Sequence, residues 1–76
     1  MLNVIFNYKG IETVIQCKMD DTMEDVIKKY KIKIEINNEY SLYNGNKINK
    51  ENKLEEIINN EDKINNKMII WVNDIN

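Results

Sequence analysis

Cys17 is the only cysteine of the chain, and there is no histidine anywhere in it. A cysteine reacts as its thiolate, and a base or a positive environment must hold it in that form. With no imidazole, the usual proton acceptor near neutral pH is missing. Cys17 also closes the alternating stretch "TVIQC", which puts Thr13, Ile15 and Cys17 on one strand face. It reads as a small buried hydrophobe rather than a nucleophile. The carboxylates Asp20, Asp21 and Glu24 could suggest a cation site, but they lack the spacing of a calcium loop. Their place at the start of a helix, where negative charge is favoured, accounts for them. The lysines Lys28, Lys29, Lys31 and Lys33 could meet an anionic partner, and a solvated helix face is the simpler reading. We expect no catalytic residue, no cofactor and no metal site, hence no enzyme.

One stretch remains unaccounted for by folding. In "MIIWVNDIN", Met68, Ile70 and Val72 share one strand face, and Ile69 and Trp71 share the other. A strand apolar on both faces is either central in a sheet and covered on both sides, or it displays its second face to a partner. Aromatic side chains are frequent anchors of such interfaces.

The composition narrows the classes. A chain of 76 residues makes one domain, here spanning 1–76. A domain of this size buries only ~60% of the surface its unfolded chain exposes. The formal charge is −2, and all 11 basic residues are lysine. Neither the charge nor the lack of arginine suits nucleic acid. The longest apolar run, "MIIWV", is too short to span a bilayer, and the N-terminus does not read as a signal peptide. A lone cysteine favours a reducing compartment, so we expect an intracellular location, cytoplasmic or nuclear. The isolated domain should be monomeric. Ile, Asn and Lys, which crowd the chain, can all use codons built from A and T alone, so the asparagine clusters are read as compositional rather than functional.

The elements follow from periodicity. "LNVIFN" alternates, with Leu2, Val4 and Phe6 on one face and Asn3, Ile5 and Asn7 on the other. "NYKG" is a turn of about four residues, and "TVIQC" is the returning strand. In "DDTMEDVIKKYK" the period changes: Met23, Val26, Ile27, Tyr30 and Ile34 form one helical stripe. Thr22 is the N-cap, and Asp25 stands three residues on. Ile32 falls off the stripe. "EYSLYNGNKI" is strand–turn–strand, with Asn44-Gly45 as a short hairpin turn. "NKLEEIIN" is one helical turn, with Leu54, Ile57 and Ile58 on its buried side, and "NNEDKINNK" is a loop. "KMIIWVN" is the last strand, inserted centrally beside the first.

In this order the chain resembles ubiquitin and the wider ubiquitin-like β-grasp family. The resemblance covers all 76 residues and is carried by "NYKG", "DDTMEDVIKKY", "YSLYNGNKI", "LEEI" and "MIIWV". It implies an α+β fold: a mixed sheet of four or five strands with one helix across one face, and strands one and five parallel at the centre. Members that are conjugated end in Gly-Gly, whereas this chain ends in "NDIN" with no glycine after Gly45, so a conjugated modifier is not expected. The resemblance also implies a recruiting surface on the sheet face away from the helix. Tyr8 matches its first-turn position, and Trp71 matches strand five, or Ile69 in the other register. On strand three, alignment on Gly45 would turn Leu42 outward and leave Ser41, a poor core residue, inward. We prefer Leu42 inward and Tyr43 outward. The expected patch is then Tyr8, Tyr43, Ile69 and Trp71. It would bind a protein partner, with no nucleic acid and no membrane involved. The resemblance implies ubiquitin-pathway or proteasomal partners. The alternatives are a structural β-grasp module of a larger assembly, a GTPase-binding β-grasp domain using Lys9 and Lys18, and a modifier precursor.

Overall fold

The computed structural model describes residues 1–36 and 39–75. The elements are β1 (Leu2–Tyr8), β2 (Ile11–Cys17), α1 (Met23–Lys33), β3 (Glu39–Tyr43), β4 (Asn46–Lys47), α2 (Leu54–Ile57), α3 (Asn60–Asn65) and β5 (Lys67–Asp74). The five strands form one sheet in the order β2-β1-β5-β3-β4. β1 and β5 are parallel, and the other pairs are antiparallel.

The alternation of β1 and β5 drives the packing. Leu2, Val4 and Phe6 of β1 and Met68, Ile70 and Val72 of β5 are buried on the inner face. Ile15 and Cys17 of β2 join them, and α1 closes that face with Met23, Val26, Ile27 and Tyr30. The Phe6 and Tyr30 rings stack at 4.1 Å between centroids, which locks the helix onto the first strand. α1 starts where Thr22 accepts a hydrogen bond from the Asp25 amide at 3.3 Å. It ends at Lys33, and the off-stripe Ile32 lies in solvent. α2 supplies the buried Leu54, and the Leu54 amide bonds the Asp21 carbonyl, tying this segment to the start of α1.

Three expectations need correction. The first turn is not four residues but two, Lys9-Gly10, with φ of 53° and 83°. The strands extend to Tyr8 and Ile11 because this positive-φ pair matches their twist. The segment "NNEDKINNK" is not a loop, since it contains α3. The Asn59 side chain accepts from the Asp62 amide at 2.8 Å, and Asn66 ends the helix in the left-handed region at φ 56°. The third correction concerns β3. Leu42 pairs with Trp71 and Ser41 with Val72, so Leu42 faces outward and Ser41 and Tyr43 face the helix side. Ser41 is tolerated there because it lies away from the centre of the core and stays half-buried.

Candidate interaction surface

The outer sheet face is built from one residue in two along each strand. Ile5 of β1 lies opposite Ile69 of β5 and opposite Val14 of β2. Trp71, two residues on from Ile69, lies opposite Leu42 of β3. Together Val14, Ile5, Ile69, Trp71 and Leu42 make an apolar band across four strands, on the face opposite α1. Val14 and Trp71 are exposed, and Ile5, Leu42 and Ile69 are half-buried. Among the described residues no helix lies across this face: α1 packs on the other side, and α3 borders one end of it, where Asp62 holds Tyr43 and lines a cleft with Ile69 and Trp71.

Of the four residues expected to form the patch, the structure sets Ile69 and Trp71 together on the outer face; Tyr43 faces the helix side and borders only the cleft at the sheet end beside Trp71, and Tyr8 lies elsewhere. Tyr8 has the inward parity of Phe6 and packs at the margin of the core. Its hydroxyl donates to Asp74 Oδ1 at 2.6 Å, and Lys9 Nζ lies 3.0 Å from Asp74 Oδ2. The Tyr8 hydroxyl and then the Lys9 ammonium hold the Asp74 carboxyl below its ordinary range. The same contacts raise Tyr8 and Lys9 above theirs, the hydrogen bond to Asp74 being the leading cause for both. Tyr8 therefore clasps the first turn to the end of β5.

Tyr43 is buried on the helix side at 7% exposure. Its hydroxyl donates to Asp62 Oδ2 at 2.5 Å and accepts from the Asn59 amide at 3.1 Å. Burial, chiefly, and the bond to Asp62 raise the Tyr43 phenol above its usual value, and the bond from the Asn59 amide opposes them. Tyr43 is inward because α3 provides both partners for its hydroxyl, and α3 was not read from the sequence. Leu42, Ile5 and Val14 are the surface residues that sequence reasoning missed. The Gly45 alignment pointed to Leu42. The alternation of β1 puts Ile5 on the outer side, and the parallel register sets it beside Ile69.

Cys17 is buried, and burial pushes its thiol up to about 11. No group of three or more metal-ligating side chains occurs among the described residues. No described helix is long and apolar enough to cross a membrane.

The strand order, the parallel central pair and the single long helix across one face are those of a ubiquitin-like β-grasp fold. No family model and no curated protein matches the chain. A solved structure described as "Crystal structure of ATBAG1 in complex with HSP70" contains a chain that superposes with a TM-score of 0.77 at 13% identity. The match covers 99% of this chain and 41% of that one. At such identity the likeness establishes the fold alone.

Proposed function

We propose that this domain is a non-catalytic protein-docking module and that its outer sheet face, centred on Ile69 and Trp71, is the docking surface. The observation that carries the reading is the half-exposed Trp71 ring, set in an apolar band that the described elements leave open. Large exposed aromatic side chains beside aliphatic ones make interface anchors, since a partner removes both from water at little ordering cost. The β-grasp fold supports the reading, as does the likeness to a chain from a complex with another protein. The absence of histidine and the raised thiol of Cys17 also favour binding over catalysis. The finer proposal is an intracellular recruiting domain for ubiquitin-pathway or proteasomal partners, in the cytoplasm or nucleus.

The test is comparative affinity capture with the wild-type domain, the double variant Leu42→Ala/Trp71→Ala, and Lys28→Glu on the helix side. Interacting proteins should be lost with the double variant and kept with Lys28→Glu. Capture indifferent to the double variant would reject the outer face and favour a β-grasp module used in some other way.

A further inference from the structure

Beside Trp71 lies a cleft of about 260 Å³, lined by Tyr43, Asn44, Gly45, Asp62, Ile69 and Trp71. It is smaller than the ~300–1,000 Å³ of small-molecule sites, a size that suits a side chain of a docked partner. Its charged group is the Asp62 carboxylate. One oxygen, Oδ2, is committed to the Tyr43 hydroxyl, which fixes the group in place. The other accepts no hydrogen bond from the described residues, and no lysine among them lies within ion-pair distance of Asp62. Lys47, on β4, sets its ammonium 5.2 Å from the centre of the Tyr40 ring.

A half-exposed indole and an unpaired carboxylate lining one cleft have a common complement. The ring face attracts a cation, and the carboxylate accepts its N–H groups. We infer that this cleft receives a basic side chain, arginine or lysine, of the protein that docks on the outer face; the inference rests on the docking reading above. Arginine fits best, since its planar guanidinium can stack on the ring and donate to the carboxylate together. The cleft would thus select, among partners able to cover an apolar sheet face, those carrying a positive charge next to their apolar anchor.

Display selection with random short peptides on the intact chain tests this. Peptides whose binding needs Trp71 are sorted out by counter-selection on Trp71→Ala. Among them, arginine and lysine should be enriched, and binding should fall about fivefold on Asp62→Asn, which is what a partly exposed charge pair contributes at most. Asparagine keeps an acceptor for Tyr43, so the fold should persist. Replacing the peptide's arginine by neutral citrulline should weaken binding to the wild-type chain by at least that factor, since it removes the attraction to the Trp71 ring as well as the pair with Asp62, and this measurement needs no variant. Trp71-dependent peptides without basic enrichment, indifferent to Asp62→Asn and to citrulline, would overturn the cation site and leave the docking face standing. A selection that yields no Trp71-dependent peptide would overturn both.

Discussion

At 51% exposure, the Trp71 ring keeps about half of its contact with water, and its removal opens no cavity in the core. Trp71→Ala should therefore cost no more than ~1 kcal/mol of stability, close to the ~0.5 kcal/mol of ordinary surface changes. A core tryptophan would lose ~3–5 kcal/mol. Its emission should be red-shifted and quenched by acrylamide, and urea denaturation of the variant gives the second half of the comparison. Tyr43 should behave in the opposite way. Tyr43→Phe keeps the buried ring but takes a donor from Asp62 and an acceptor from the Asn59 amide. The expected loss is ~1–2 kcal/mol, read from the thermal midpoint. An unchanged midpoint would mean that α3 is not anchored through this hydroxyl. At the other end of the sheet, Asp74 has a folded value below its ordinary 3.8. A depressed carboxylate contributes stability above its unfolded value and loses it as pH falls below that, through the folded value. The gap in urea midpoint between wild type and Asp74→Asn should thus be present at neutral pH and close as pH drops below 3.8. A gap that stays constant into acid would show that the clasp between Asp74, Tyr8 and Lys9 does not form.

Among the elements, the helix caps give the clearest contrast. Thr22→Ala removes the acceptor for the Asp25 amide, and Asn59→Ala removes the acceptor for the Asp62 amide. Each should cost ~1 kcal/mol by urea denaturation. A neutral Asn59→Ala would return the segment to the loop read from the sequence. α1, β1 and β5 were legible because their apolar residues repeat at one period over most of their length, from Met23 to Tyr30 in α1 and from Leu2 to Phe6 in β1. α3 was not legible because none of its residues is buried, so no apolar stripe marks it. Its signals were Asn59 and Asn66, and asparagine had been set aside as compositional. That reasoning fails where backbone geometry needs the residue: Asn66 at φ 56° sits in the left-handed region, which asparagine tolerates better than most residues, and so does Asn44 of the hairpin turn that the sequence did show. The register of β3 failed for a linked reason. Two adjacent candidates, Leu42 and Tyr43, could each be turned inward, and hydrophobicity favoured the leucine. The partners of the Tyr43 hydroxyl decide the matter, and both belong to the unrecognised α3 and its cap. Tyr43 left the expected patch in this way, and Tyr8 left it because β1 runs on to Tyr8 with the parity of Phe6, while Ile69 and Trp71, set by the strong alternation of β5, kept their face.

For the whole molecule, one long helix and one sheet leave one sheet face without a covering layer. The radius of gyration, 11.4 Å, is what ~2.2·N^0.38 Å gives for a compact chain of this length. Among the described residues no element lies across the outer side of β1 and β5. In so small a domain each kcal/mol shifts the melting temperature by ~4–8 °C, so the modest stability changes described above are measurable. On the proposed reading, the molecule divides by role: the inner face holds it together, and the outer face docks a partner. Amide-resolved NMR of the uniformly labelled domain, mixed with a partner obtained by capture, tests that division most directly. The expected footprint is Ile5, Leu42, Ile69 and Trp71 with their cross-strand neighbours, the Trp71 indole shifting most, and α1 silent. A footprint on the exposed side of α1, with the outer face unperturbed, would contradict it.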